Sequence, residues 1–203
     1  MVVSRETPGA TQYFGDDLTQ INRYIDLLTT WGIERGLIGP REAPRIWERH
    51  ILNCAMVVPR IPRGATVADV GSGAGLPGVV WAIARPDLNV TLIEPLLRRS
   101  TFLIEVIDEL GLPNVVVLRE RAEDVSDVFD VVTARAVADL GRLSGWCLPL
   151  VRPGGVLLAL KGESAAAEVA MWNEAMRRSG ATDIVVTSYG DVEMPTTVVE
   201  VSR

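Results

Sequence analysis

A group of closely spaced glycines, set between two β-rich runs, constrains the fold of this chain more than any other feature. Residues 66–70 are apolar and β-rich, three alternating glycines follow, residues 76–85 carry apolar side chains at helical spacing, and residues 89–94 form a second β-rich run. The three glycines are Gly71, Gly73 and Gly75. This order predicts a right-handed βαβ unit. The glycines lie in the turn between strand and helix. They allow positive φ angles there and let a ligand approach the backbone, because no Cβ atom intervenes.

The side chains around the glycines narrow the choice of ligand. A dinucleotide-binding turn has the pattern Gly-x-Gly-x-x-Gly, and here Leu76 stands at the third glycine position. Asp69 precedes the glycines, and Glu94 ends the second β-rich run, where a carboxylate can accept both hydroxyl groups of a ribose. An acid, alternating glycines and a second acid resemble the S-adenosylmethionine site of Rossmann-type methyltransferases. A tight βα turn that binds no ligand is the alternative interpretation.

The composition excludes several classes of protein. The chain has 203 residues, of which 48% are hydrophobic, so it can bury a sizeable core. No apolar run reaches the ~18 residues of a membrane span, and residues 1–13 lack the apolar segment of a signal peptide, so we expect a soluble, cytoplasmic protein. Cys54 and Cys147 lie far apart and His50 is the only histidine, which predicts buried free thiols and no metal site. The net charge of −6 argues against a protein that coats nucleic acid through its overall field.

Two helices are predicted before the glycine turn. The first spans residues 18–31, with Asp16 or Asp17 as its N-cap, and the second spans residues 40–58. We expect residues 1–14 to form a frayed start to the chain.

An arginine recurs at every fourth position of the second predicted helix. These residues are Arg41, Arg45 and Arg49. They form either a solvated face paired with Glu42 and Glu48 or a stripe that contacts phosphate groups. The pattern leaves open whether residues 1–63 form a cap or a substrate-recognition appendage on a domain at residues 64–203.

Strands and helices alternate through the rest of the chain, which ends in a predicted hairpin. Helices are predicted at residues 95–110, 140–150 and 165–178, and strands at 115–118, 129–134, 156–160, 182–189 and 196–201. This alternation predicts an α/β fold with a mostly parallel, doubly wound sheet, an antiparallel C-terminal hairpin strand at its edge and N-terminal helices.

Ligands of such sheets bind beyond the carboxyl ends of the strands. Ala122 and Glu123 follow the third predicted strand, where a small residue and an acid can line an adenine ring and accept its exocyclic amine. Several cations lie at the same edge, namely Arg98, Arg99, Arg121, Arg135 and Lys161. They indicate an anionic substrate, or they only keep the strand ends soluble.

Five motifs follow one another along the chain. They are Asp-Val-Gly-Ser-Gly-Ala-Gly-Leu-Pro-Gly (69–78), Glu-Pro-Leu-Leu-Arg-Arg-Ser-Thr-Phe-Leu (94–103), Arg-Ala-Glu (121–123), Ala-Arg-Ala-Val-Ala (134–138) and Leu-Lys-Gly (160–162). Together they resemble the bacterial glucose-inhibited division protein B family over residues 16–203. Residues 47–54 resemble a further family pattern, with Asn53 and Cys54 where the family has Asp and Ser.

The resemblance implies a Rossmann-like class I methyltransferase that uses S-adenosylmethionine. Its implied reaction is methylation of N7 of the guanine at position 527 of 16S rRNA, in the decoding-site loop of the small ribosomal subunit. The implied cofactor-site residues are Gly71, Leu76, Ala122, Glu123 and Arg135, to which the glycine pattern adds Gly73 and Glu94. We expect a monomer whose partner is 16S rRNA, within a small ribosomal subunit or its precursor, with no membrane or metal involved.

The implied chemistry needs no general base, because guanine N7 has a free lone pair. We therefore assign no catalytic acid or base. We expect the rate enhancement of methyl transfer to come from holding N7 in line with the methyl group at ~3 Å. Positive charge develops on the guanine, so a cation beside N7 would oppose the reaction. Arg135 and Lys161 are accordingly expected to act in positioning, and cations are expected at phosphates or guanine O6. The expected RNA contacts are Arg98, Arg99, Lys161, His50 and Arg49.

Some alternatives stay open at this point. Trp47, Trp81 and Trp146 lie in the core or stack on a flipped guanine. A small-molecule methyltransferase would predict a closed apolar lid over the site. A nicotinamide-dependent oxidoreductase is disfavoured by Leu76, and a non-catalytic nucleotide-binding module of ribosome assembly would keep the cofactor residues without turnover.

Overall fold

The computed structural model describes residues 9–15, 18–190 and 195–203. The predicted N-caps Asp16 and Asp17, and residues 1–8 of the predicted frayed start, lie outside the described residues.

A seven-stranded sheet forms the centre of the fold, with the strand order β3-β2-β1-β4-β5-β7-β6. The strands are β1 Thr66–Val70, β2 Asn89–Ile93, β3 Val115–Leu118, β4 Phe129–Arg135, β5 Val151–Lys161, β6 Asp183–Tyr189 and β7 Thr196–Ser202. Strands β1 to β5 pair in parallel, and β7 pairs antiparallel with both β5 and β6. The predicted mostly parallel α/β sheet with antiparallel C-terminal pairing is confirmed.

Two details of the C-terminal half of the sheet differ from the prediction. The antiparallel strand is not at the edge, because β7 lies between β5 and β6. Strand β7 buries Val198, Val199 and Val201, whereas β6 is mostly exposed, so the more apolar strand occupies the inner position. Strand β5 starts at Val151, earlier than predicted, since its pairing with β4 continues through a register shift before Val156.

Helices cover both faces of the sheet. They are α1 Ala10–Phe14, α2 Thr19–Leu27, α3 Asn53–Ala55, α4 Gly78–Ala84, α5 Leu97–Leu110, α6 Leu140–Cys147 and α7 Ala165–Arg178. Successive residues of β1 point to opposite faces. Val67 therefore joins the core formed with α2, α4 and α5, while Ala68 and Val70 join the core formed with α6 and α7.

The N-terminal segments pack on the first of these cores, and they are less regular than predicted. Residues 10–14 form a short helix with Ala10 buried, so the expectation of a frayed start is wrong for them. The helix predicted at residues 40–58 consists of a 3₁₀ segment Pro40–Arg45, a π-helical turn Trp47–Leu52, α3 and a 3₁₀ turn Val58–Arg60. Pro44 has no backbone N–H to donate and so interrupts a regular α-helix.

The N-terminal segments and the sheet share one hydrophobic core. Trp81 Nε1 donates a hydrogen bond to the Cys54 carbonyl (2.8 Å), and the Tyr24 hydroxyl donates one to the Ala74 carbonyl in the glycine turn (2.8 Å). The division into residues 1–63 and 64–203 stays a prediction. Within the described part of the chain, no helix is long and apolar enough to cross a membrane.

Candidate active site

Three adjoining cavities form one cleft at the carboxyl ends of β1, β2, β4 and β5. The first has a volume of about 460 Å³, the second about 230 Å³ and the third about 270 Å³. Gly71 and Arg99 line both the first and second cavities, Arg135 lines both the second and third, and Ala136 lines all three. Ala136 has a φ of 56°, an uncommon backbone conformation for a residue with a side chain. The cleft lies where the strand order reverses between β1 and β4, the usual ligand site of an open α/β sheet.

Glu94 organises the wall of the first cavity. Its Oε2 accepts a hydrogen bond from the Gly73 N–H (3.1 Å), and its Oε1 accepts one from the Leu96 N–H (3.0 Å). The residue is only 1% exposed, yet it lines the cavity. A carboxylate has about four acceptor positions, so two remain for ligand hydroxyl groups.

Asp69 lies near the end of β1 and has a different role. It is fully buried, and its Oδ2 accepts a hydrogen bond from the Gly78 N–H at the start of α4 (3.0 Å). Burial raises the pKa of this carboxyl to about 7. Asp69 thus ties the end of β1 to the start of α4 across the glycine turn, and it does not line the three cavities.

An apolar slot completes the first cavity. It is lined by Ala122 and by Val137 and Trp146, which come from the chain after β4, and Glu123 lines the same cavity. Gly71 has a φ of 68°, and a Cβ atom built on it would lie 2.8 Å from Val137 Cγ2. Trp47 and Trp81 are buried in the core. Trp146 is the tryptophan that reaches the cleft, and the sequence pattern did not distinguish it from the other two.

The second cavity lies between the glycine turn and the N-terminal segments. Of the predicted site residues, it is lined by Gly71, Gly73, Leu76, His50, Arg99 and Arg135. The Arg135 guanidinium donates to His50 Nδ1 (2.8 Å), to the Arg49 carbonyl (3.1 Å) and to Cys54 Sγ (3.2 Å). These partners all come from the N-terminal part of the chain, which therefore holds Arg135 in place.

Lys161 lines the third cavity, together with Asn53, Arg135 and Leu160. Its side chain is only 11% exposed, and its Nζ donates to the Ala138 carbonyl (2.6 Å) and to Glu168 Oε2 (2.9 Å). One of its three N–H donors is left for a ligand. The sequence predicted a cation at this strand end but gave no sign of its two partners.

The remaining predicted RNA contacts lie outside the three cavities, on the surface. Arg98 is exposed on the first turn of α5. The exposed Arg49 side chain lies 3.5 Å from Glu42, as the solvated-face interpretation predicts. The structure thus brings four of the predicted cations into the cleft, namely Arg99, Arg121, Arg135 and Lys161, and leaves Arg98 and Arg49 beside it.

We expect Glu168→Ala to lower the free energy of unfolding by about 1–3 kcal/mol, because Glu168 joins three groups in a partly buried position. It accepts hydrogen bonds from Lys161, from the Leu140 N–H and from Ser164. Urea denaturation measures the change. Glu174→Ala on the same helix is the control, since its pair with Arg178 is largely exposed. Equal losses in the two variants would contradict a structural role for the Lys161–Glu168 pair.

The strand order and the position of the cleft are those of the class I S-adenosylmethionine-dependent methyltransferase fold. Two solved structures show the same fold. The methyltransferase SibL in its apo form has a TM-score of 0.62 at 19% identity and covers 96% of this chain and 72% of its own. M. jannaschii TYW2 in complex with AdoMet has a TM-score of 0.59 at 18% identity, covering 77% and 76%.

Sequence comparisons place the chain within this class. A family model described as rRNA small subunit methyltransferase G (GidB) matches residues 17–195. The ribosomal RNA small subunit methyltransferase G of Salinispora arenicola is 55% identical over 205 residues, covering 96% of this chain and 85% of the relative. That of Thermobifida fusca is 56% identical over 197 residues, covering 95% and 83%. The chain belongs to the rRNA small subunit methyltransferase G family. This confirms the family resemblance and the prediction that the protein is an S-adenosylmethionine-dependent enzyme.

The residues of the first and second cavities fit S-adenosylmethionine, which supplies a methyl group on a positively charged sulfur. Glu94 offers acceptors for ribose hydroxyl groups, and the slot beside Ala122 and Trp146 is apolar enough for a purine. Arg99 lines both cavities, and its guanidinium lies 3.7 Å from Glu94 Oε2, while its buried Nε has no hydrogen-bond partner among the described residues. A guanidinium donor of this kind fits the carboxylate of the methionine portion.

Proposed function

We propose that this enzyme transfers the methyl group of S-adenosylmethionine to guanine N7 in the decoding-site loop of 16S rRNA. The observation that carries the proposal is the continuity of the cleft. The cavity that fits the nucleoside of the cofactor leads past Ala136 to a third cavity that two cations, Arg135 and Lys161, line. We assign the first two cavities to the cofactor and the third to the guanine.

The groups around the third cavity suit methylation of N7. Lys161 has one free N–H, and the Arg135 guanidinium has five donors, of which His50, Arg49 and Cys54 take three. Such donors match the O6 acceptor of guanine and the flanking phosphates. The acidic groups nearby serve other purposes. Glu94 and Glu123 line the first cavity, where Glu94 binds backbone N–H groups, and Asp69 is buried outside the three cavities. No proton has to leave N7 before the methyl group arrives, so the cleft needs no general base.

We also propose roles for the predicted site residues and for the N-terminal part. Gly71, Gly73, Leu76, Glu94, Ala122 and Glu123 hold the cofactor, and Arg135 lies at the boundary between cofactor and guanine. Arg99 lines the first and second cavities, so we assign it to the cofactor carboxylate. Arg98 and Arg49 contact RNA phosphates, and residues 1–63 form a substrate-recognition appendage that supplies one wall of the second cavity through Leu37, Ile38 and His50.

The proposed partner is 16S rRNA within a small ribosomal subunit or its precursor, which the protein binds as a monomer in the cytoplasm. A net charge of −6 gives weak general attraction to RNA, so a folded particle that presents the loop is a better substrate than the naked chain.

The test is a methylation assay with tritiated S-adenosylmethionine and small subunits from a strain that lacks this methyltransferase. Cleavage of the RNA at 7-methylguanosine then gives the modified position. We expect label at one guanine of the decoding-site loop, and more label in subunits than in naked 16S rRNA. Label elsewhere, or none in any RNA while the protein still binds S-adenosylmethionine, would contradict the proposal. The second of these results would favour a small-molecule acceptor.

A further inference from the structure

A chain of hydrogen bonds runs from the cleft to the surface of the N-terminal segment. His50 Nδ1 lies 2.8 Å from a terminal nitrogen of Arg135, and His50 Nε2 lies 2.9 Å from Glu42 Oε2. A guanidinium nitrogen can only donate, so Nδ1 has to accept. The ring hydrogen is therefore on Nε2 and is donated to the Glu42 carboxylate, which fixes His50 as one neutral tautomer.

The hydrogen bonds that join Glu42, His50 and Arg135 reach into the cleft. His50 and Arg135 line the second cavity, and Arg135 also lines the third, whereas Glu42 lines neither. The His50 side chain is only 16% exposed, so water has limited access to replace it as the acceptor for Arg135. A guanidinium on a long side chain has many rotamers, and fixed acceptors select one of them.

We propose that Glu42 and His50 are positioning residues that hold the Arg135 guanidinium at the boundary between the cofactor and guanine cavities. The inference rests on the proposed function and goes beyond it, because it assigns a role in the reaction to a residue that lies outside the cleft. A purely structural tie between the N-terminal segment and β4 would act on stability, and its effect on the rate would not depend on Arg135.

The proposal has a consequence for pH dependence. The charged groups facing His50 are Glu42, Arg49 and Arg135. Burial lowers the pKa of His50, and the hydrogen bond with Glu42 opposes this only in part. A second proton on the ring would go to Nδ1 and face the Arg135 donor. The neutral form dominates above the His50 pKa, so Arg135 is held at neutral pH and released as the pH falls below that value.

Two substitutions of His50 separate its two hydrogen bonds. In His50→Asn the amide oxygen takes the place of Nδ1 and can accept from Arg135, while in His50→Gln the amide takes the place of Nε2 and can reach only Glu42. We expect kcat for methylation of small subunits to fall at least tenfold in His50→Gln and about threefold or less in His50→Asn. The acid limb of the pH–rate profile should disappear in His50→Asn. Cofactor affinity and the melting temperature, measured on both variants, show that the proteins are folded.

Glu42 is tested against a matched control. Glu42→Ala removes the acceptor that fixes the His50 tautomer, so we expect kcat to fall severalfold. Glu48→Ala removes an exposed glutamate of the same segment and is expected to leave kcat unchanged. Equal rates in the two variants would contradict the role of Glu42.

A double-mutant cycle decides whether His50 acts through Arg135. We expect His50→Gln to cost nothing further in an Arg135→Ala background. Additive losses would overturn the proposal, because they would mean that His50 contacts the RNA or stabilises the fold independently. The wild-type enzyme is measured in the same assay. If the proposed function is wrong, the wild-type enzyme methylates no RNA, a result that differs from additive losses in the variants.

Discussion

Gly71→Ala is expected to weaken binding of S-adenosylmethionine roughly ten- to a hundredfold. The added Cβ atom would lie 2.8 Å from Val137 Cγ2, so Val137 and the chain around it have to move in the wall of the first cavity. Overpacking of this kind costs about 1–3 kcal/mol, and each 1.4 kcal/mol is a factor of ten in affinity. Isothermal titration calorimetry with S-adenosylmethionine measures the change.

Gly111→Ala is the matched control for this experiment. Gly111 has a φ of 60°, close to the 68° of Gly71, but a Cβ atom built on it has no neighbour within 4 Å. Both substitutions therefore introduce a similar backbone strain, and only Gly71→Ala changes the cavity. We expect Gly111→Ala to lower stability and leave cofactor affinity intact. A second substitution, Val137→Ala, should recover part of the affinity of Gly71→Ala. Equal cofactor affinities in the two glycine variants would mean that the glycine turn does not form part of the cofactor site.

The elements that the sequence predicted well are those whose pattern is local. Short apolar runs and glycines predict the βαβ unit at residues 66–94. Each of its strands and its helix forms within a few residues of the predicted position. Parallel strands buried on both faces need mostly apolar runs, and past their polar first residues β1 and β2 are apolar except for the buried Asp69 and the half-buried Thr91. Ligands of such sheets bind at the strand ends, and this rule predicted a shared site for four residues. All four line the first cavity, namely Gly71, Glu94, Ala122 and Glu123.

The features that the sequence did not predict depend on partners far apart along the chain. Strand β7 takes an inner position because it pairs with β5 and β6 at once, and no local pattern specifies this order. Arg135 is held by Cys54, 81 residues earlier, and by His50, 85 residues earlier. A cation at a strand end looks the same in the sequence whether it is free or paired. For this reason Lys161 was predicted as an RNA contact without its partners Ala138 and Glu168.

The buried carboxyl of Asp69 is expected to make the stability of this protein depend on pH. The pKa of Asp69 is about 7 in the folded protein because of burial, and 3.8 is its ordinary value. Between these two values the folded state holds one more proton than the unfolded state. The contribution of Asp69 to the free energy of unfolding therefore falls as the pH rises from 4 to 7, and it changes no further above that range.

Asp69→Asn removes this titration and keeps an oxygen that can accept the hydrogen bond from the Gly78 N–H. The stability of the variant relative to the wild type should rise with pH and level off above pH 7. At 1.36 kcal/mol per pKa unit, the difference between pH 4 and pH 8 has an upper bound of about 4 kcal/mol. Urea denaturation of both proteins at several pH values measures it. Parallel stability curves for wild type and variant would mean that the Asp69 carboxyl is ionised in the fold across this range. The charge would then have to be compensated inside the protein, and Arg135 is the cation whose field acts on it.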